Sequence, residues 1–193
     1  MRKLVITNGT GGAGKDTFCQ MVKKELEEIG FETWRYSYVD FTRNMLQEFA
    51  DIDTSKKTDK DRKLLAAINR ALEEYDDIPF KDCCSLVEDF LLSYQKRFEP
   101  TTDTYVKNDA DFIFLDVRVP EIIDRFKEKY TNVYTVIVDN GKLTDSTPED
   151  LNVKNYVYDY TIDNTGTLCD LEQQAHDFVN FILNQEDTRR IKE

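Results

Sequence analysis

The sequence predicts an α/β three-layer sandwich with a five-stranded parallel sheet and a helical insert. Short apolar runs alternate with helically spaced apolar positions along most of the chain. That order favours parallel pairing through right-handed crossovers. A glycine-rich stretch joins the first apolar run to the first helical pattern, and two consecutive helical patterns between Asp59 and Phe98 interrupt the alternation. With no internal repeat or low-complexity tract, residues 1–193 read as one domain, with the insert at about 40–100 and a polar connecting segment at about 139–155.

Leu4-Val5-Ile6 is continuous and apolar, so Lys3–Thr7 reads as a short buried strand. Phe18, Val22, Leu26 and Ile29 then recur at helical steps, and Gly30 stands where a helix commonly ends. Phe31–Tyr38 is rich in aromatic and β-branched residues, which predicts a second strand. Asp40–Phe49 returns to helical spacing. After a polar stretch at 51–58, one helix carries Leu64, Leu65, Ile68, Leu72 and Tyr75, and another carries Leu86, Phe90, Leu91 and Tyr94. Residues 99–109 read as a loop, and Asp111–Asp116 as an apolar strand ending on a carboxylate. Pro120 opens the next helix, where a missing N–H costs nothing. Val133–Val138 and Tyr158–Ile162 are the remaining strands; the alternating Tyr156, Tyr158 and Tyr160 fit an outer strand. Thr167 or Asp170 starts the final helix, and Arg189–Glu193 reads as a frayed tail.

The 193 residues carry 26 Lys and Arg against 38 Asp and Glu, a net charge of −12. Binding to a nucleic acid polymer, which relies on basic surface, is not expected. Any anionic ligand must be gripped by a local site that opposes the global field. No apolar run approaches the ~18 residues of a membrane span, and the apolar stretch after Met1-Arg2-Lys3 is too short for a secretory signal. The four cysteines show no C-x-x-C spacing, so reduced thiols in a cytoplasmic setting are expected. A single histidine, His176, leaves little room for His-based metal sites or triads.

Gly9-x-x-x-x-Gly14-Lys15 sits between a predicted strand and a predicted helix, the context of a phosphate-binding loop. Gly9, Gly11, Gly12, Ala13 and Gly14 let backbone N–H groups turn inward around phosphate oxygens, and the helix N-terminus adds its positive dipole end. Lys15 reaches the β- and γ-phosphates as a point charge. The next residue in such loops is normally Ser or Thr, a magnesium ligand; here it is Asp16, followed by Thr17. Asp16 can ligate magnesium directly or through water. Gly12-Ala13-Gly14-Lys15-Asp16-Thr17 resembles the loop of nucleoside monophosphate kinases, and its GKDT form is similar to phage-type deoxynucleoside monophosphate kinases and to animal phosphomevalonate kinases. The resemblance implies a P-loop NTPase fold, ATP and Mg²⁺ as cofactors, and phosphoryl transfer to a small phosphorylated acceptor by a monomer or homodimer.

Asp116 ends a predicted strand, where a second acidic residue of such enzymes holds magnesium and its waters. Asp116-Val117-Arg118-Val119-Pro120 looks like the D-x-R-x-P segment of deoxynucleoside monophosphate kinases, which makes Arg118 the expected clamp on the acceptor phosphate. Lys15, Asp116 and Arg118 are thus the expected catalytic residues, with Asp16, Thr17 and Asp116 at the metal. In Tyr38–Arg43, a run similar to the acceptor-binding segment of that family, Arg43 is an expected phosphate partner and Asp40 a partner for a sugar hydroxyl; the alternative for Asp40 is a helix cap. Asn164 and Gly166 form a turn that the resemblance places against the donor base. The lid-like segment at 139–155 carries only Lys142 and Lys154 as cations, so the arginine-rich lid of these kinases is missing; Arg125 is the candidate substitute. The acceptor is expected to be a (deoxy)nucleoside monophosphate. Phosphomevalonate or dephospho-coenzyme A kinase activity, or a catalytically weak nucleotide-binding protein, are the alternatives.

Overall fold

The computed structural model describes residues 2–56, 58–96, 111–142 and 153–185. The expected loop at 99–109, most of the lid-like segment and the tail lie outside them. Five strands, β1 Lys3–Asn8, β2 Thr33–Ser37, β3 Phe112–Asp116, β4 Val133–Asp139 and β5 Tyr160–Asp163, form one parallel sheet in the order β2-β3-β1-β4-β5. The long helices among the described residues are α1 Lys15–Glu28, α2 Asp40–Ala50, α3 Asp59–Asp76, α4 Ile78–Lys96, α5 Pro120–Lys129 and α6 Leu168–Asn184. A further helical turn occupies 153–155. The last strand is shorter than the tyrosine alternation suggested. Tyr156 and Tyr158 precede β5, whose ladder with β4 starts at Tyr160; just before it the Thr135 N–H of β4 donates to the Asp159 carboxylate at 2.8 Å.

The chain divides into two compact units, Met1–Arg35 with Asp109–Glu193, and Tyr36–Asn108. In the first, the crossover from β1 through α1 runs one way along the sheet and that from β3 through α5 runs the other way. Crossovers of one hand running in opposite directions place their helices on opposite faces, which gives three layers. On one face Val5, Phe112, Phe114, Val136, Val138 and Ile162 pack with Phe18, Val22 and Leu26 of α1 and with Leu171, Phe178 and Ile182 of α6. Each such side chain contributes about 1.5–3 kcal/mol by leaving water. Leu4, Ile6, Ile113 and Leu115 alternate to the other face and are equally buried. The α6 N-terminus is held by a capping box between Thr167 and Asp170.

The second unit packs α2, α3 and α4. Thr58 and Asp61 form a capping box that starts α3. Its interior is partly polar. Buried Thr42 donates to Asn69 Oδ1 at 2.7 Å, Asn69 donates to Glu73 at 2.9 Å, and Tyr36 donates to Asp82 at 2.8 Å.

Cys19, Cys83 and Cys84 are buried and Cys169 is exposed, all as free thiols. Burial, reinforced by Asp116, pushes the Cys19 thiol up to about 11, and burial with Asp82 raises that of Cys83. A thiol reagent should therefore titrate one cysteine rapidly in the native protein and the other three only on unfolding. Fast reaction of two or more native thiols would contradict this placement.

Candidate active site

The C-terminal end of β1 is where the sheet delivers its functional groups. Parallel register puts Thr7 beside Asp116 of β3 and Asn8 beside Ile137 of β4, so the loop after Asn8 starts next to the Asp116 carboxylate. The loop needs glycine at two points. A Cβ on Gly9 would stand 2.8 Å from the Val138 carbonyl oxygen. Gly14 caps α1 with φ 92°, and a Cβ there would collide with the Asn164 amide.

Three side chains hold the loop from outside. Asn8 Oδ1 accepts from the Gly9 N–H at 2.8 Å, while Asn8 Nδ2 donates to the Arg118 carbonyl at 3.2 Å and to the Tyr158 hydroxyl at 2.8 Å. Asn164 Nδ2 donates to the Ala13 carbonyl at 2.8 Å, and Asn140 Nδ2 to the Gly12 carbonyl at 3.2 Å. The Asn164 and Asn140 bonds occupy loop carbonyls. No side chain caps the α1 N-terminus, where N–H groups make a helix start receptive to anions.

Inside the mouth of the loop lies a charged cluster. Lys15 Nζ is 2.6 Å from Asp116 Oδ2 and 3.9 Å from Asp16 Oδ1. The guanidinium of Arg35, from β2, donates to the same Asp116 Oδ2 at 2.7 Å and also to Asp16 Oδ1. The other Asp116 oxygen accepts from the buried Thr7 hydroxyl. Side-chain exposure is 15% for both Lys15 and Asp116, against 51% for Asp16. Burial works against the charge on Arg35, but the neighbouring Cys19, Asp116 and Asp16 outweigh it and raise its pKa.

Of the expected site residues, the structure thus brings together Lys15, Asp16 and Asp116 with the loop of Gly9, Gly11, Gly12, Ala13 and Gly14. Thr17 is exposed on the first turn of α1. Arg118 is exposed on the rim just after β3, and Gly166 lies beside the Asp170 carboxylate. In the helical unit Asp40 opens α2, accepts from the Ser37 N–H at 2.7 Å and pairs with Arg43. Asp139 pairs with Lys154 at 2.9 Å; burial opposes ionisation there, but the ammonium and the Gly141 N–H hold the carboxyl below its ordinary value. His176 is exposed and contacts Glu25 and Asn180. Thr7 and Arg35 were not anticipated. Arg35 had one signal, a cation in the middle of an otherwise uncharged strand, Thr33–Ser37.

Among the described residues no group of three or more His, Cys, Asp or Glu is placed to hold a metal ion. Magnesium needs fewer, because it keeps waters and takes one or two carboxylates together with substrate phosphates. Asp16 and Asp116 are such a pair. Thr10 supplies a further sign of fit: its hydroxyl is buried within the loop and has no hydrogen-bond partner among the described residues. The residues present therefore suit a magnesium-bound polyphosphate.

The sheet order, the loop between β1 and α1 and the carboxylate at the end of β3 define a P-loop NTPase-like α/β fold. No family model and no curated protein matches the chain. Among solved structures it is similar to the APS kinase CysC of Mycobacterium tuberculosis in complex with AMPPNP and APS, at 17% identity and a TM-score of 0.46, covering 95% of this chain and 98% of that one. It is also similar to TT1252 from Thermus thermophilus, at 17% identity and a TM-score of 0.41 over 93% and 97% of the two chains. An unliganded sugar kinase from Janibacter matches at 15% identity and a TM-score of 0.41 over 93% and 95%. No described helix is long and apolar enough to cross a membrane.

Proposed function

We propose that this protein is an ATP-dependent phosphotransferase acting on a small phosphorylated acceptor, most similar in its motifs to a (deoxy)nucleoside monophosphate kinase. The observation that carries the reading is the meeting of Lys15, Asp16 and Asp116 at the mouth of a glycine loop. Phosphoryl transfer requires little covalent help from a protein; positioning and neutralisation of charge supply most of the catalysis.

The loop N–H groups and the α1 N-terminus bind the donor phosphates, Asn140 and Asn164 keep the Gly12 and Ala13 carbonyls turned away from them, and Asn8 fixes the start of the loop through the Gly9 N–H. Lys15 leaves Asp116 and neutralises charge on the β- and γ-phosphates. Asp16 and Asp116 would hold magnesium, which would offset the charge that builds on the donor phosphates. Arg118 clamps the acceptor phosphate from the rim, its planar fork matching paired oxygens.

Incubation with Mg-ATP and a panel of nucleoside monophosphates, phosphomevalonate and dephospho-coenzyme A, with ADP release as the readout, tests the proposal. Acceptor-dependent ADP formation with a nucleoside monophosphate supports it. Turnover with another acceptor moves the specificity, and no ADP from any acceptor removes the enzymatic reading. In the same assay Arg118→Ala should cut turnover by roughly ten- to a hundredfold, the loss of a charge-assisted phosphate contact of about 1.5–3 kcal/mol. ATP affinity should stay near the parent value. Unchanged turnover would shift the clamp to another arginine.

A further inference from the structure

We infer that Arg35 is a displaceable stand-in for the metal: it holds Asp16 and Asp116 together in the nucleotide-free protein and moves onto donor phosphate oxygens when a divalent cation takes its place. The inference rests on the phosphotransferase reading and adds a residue to it. One guanidinium nitrogen of Arg35 reaches both carboxylates, and the Asp116 oxygen it uses is the one that Lys15 also contacts. The opposite Asp116 oxygen is committed to Thr7. A metal shared by the two aspartates competes with the guanidinium for Asp116 Oδ2. A divalent cation and a guanidinium cannot share it, since like charges a few ångströms apart repel strongly in a partly buried site.

The direction in which Arg35 moves follows from the charge balance. Binding of a metal–triphosphate delivers the metal to the carboxylates and phosphate oxygens to the adjoining loop. The released guanidinium, tethered to β2 beside that loop, exchanges one nitrogen's contacts with two carboxylates for phosphate oxygens that match its planar fork. The exchange places a cation at the phosphates in a protein whose segment 139–155 carries no arginine. Of its two lysines, Lys154 is paired with Asp139.

The inference makes two opposite demands on one substitution. Arg35→Ala uncovers the carboxylates, so the nucleotide-free protein should bind Mn²⁺ more tightly, by roughly tenfold, as expected for removal of one competing charge. The same variant should bind Mg-ATP more weakly, by roughly tenfold net, because the lost fork-to-phosphate contacts outweigh the eased metal binding. Electron paramagnetic resonance of free Mn²⁺ reads the first, and titration calorimetry with Mg-ATP reads the second, with circular dichroism confirming the fold. If Arg35→Ala fails to fold, Arg35→Lys takes its place: an ammonium keeps the charge but loses the fork, so both shifts should persist at reduced size. Parent protein that binds no Mg-ATP would overturn the phosphotransferase reading and this inference with it. Parent protein that binds Mg-ATP, with a folded variant unchanged in either measurement, would overturn the role of Arg35 alone.

Discussion

Lys15→Ala should abolish measurable phosphoryl transfer and weaken Mg-ATP binding by a hundredfold or more, while the protein melts near the parent temperature. The two halves of this expectation have separate causes. Lys15 opens α1 at the loop, and its side chain is only 15% exposed. A charge-assisted bond to phosphate contributes about 1.5–3 kcal/mol, and an ammonium reaching two phosphates makes more than one, so a loss of about 3 kcal/mol or more, over a hundredfold, is expected. Stability is spared because Asp116 keeps two other partners, the Thr7 hydroxyl and the Arg35 guanidinium. No buried charge is left alone. Titration calorimetry with Mg-ATP and a thermal melt check both halves. Parent-like affinity and turnover in Lys15→Ala would sink the phosphate-loop reading.

Asp116→Ala should behave differently, losing stability and metal dependence together. Its carboxylate is the common partner of Lys15, Arg35 and Thr7. Removing it leaves two cations facing each other beside Asp16 and deprives a fully buried hydroxyl of its acceptor. Breaking a fully buried pair costs about 3–5 kcal/mol; the 15% exposure of both partners and the surviving Asp16 lower the expectation to about 2–3 kcal/mol. For a chain of this size that corresponds to a melting temperature lower by roughly 5–10 °C. Asp116→Asn keeps an oxygen for Thr7 and should recover part of the stability. Neither variant should show the parent's gain in ATP affinity on adding Mg²⁺. A variant that keeps that gain would remove Asp116 from the metal site.

Much of the fold was legible because its determinants are local. Leu4-Val5-Ile6 and Phe112–Leu115 read as buried strands from composition alone, and both are buried β-strands. The i, i+4 repeat of Phe18, Val22 and Leu26 marked the face of α1 that meets the core. Pro120 opens α5 as its fixed φ allows, and Thr167 caps α6. The glycine loop was legible for the same reason. Its backbone requirement at Gly9 and Gly14, and the lysine that follows, are written within seven consecutive residues.

The partners of that loop were decided by tertiary structure. Thr7 lies 109 positions from Asp116, Arg35 81 positions from it, and Asn8 150 positions from Tyr158. The alternation of a strand states which face a side chain joins. It does not state which strand becomes the neighbour or in which register. The order β2-β3-β1-β4-β5 seats β3 beside β1, and the register aligns Thr7 with Asp116. A carboxylate at a strand end thereby acquires a hydroxyl, an ammonium and a guanidinium. Asn164 shows the same division. Its turn after the last strand was readable, but its amide bond to the Ala13 carbonyl, 151 positions away, required β5 to sit beside β4 and Asn164 to reach the loop. Local sequence determined that this protein has a glycine loop and a lysine between its first strand and first helix. The charges that surround it come from chain segments that only the sheet brings together, because long-range pairing depends on the packing of the whole core and leaves no periodic trace in any one segment.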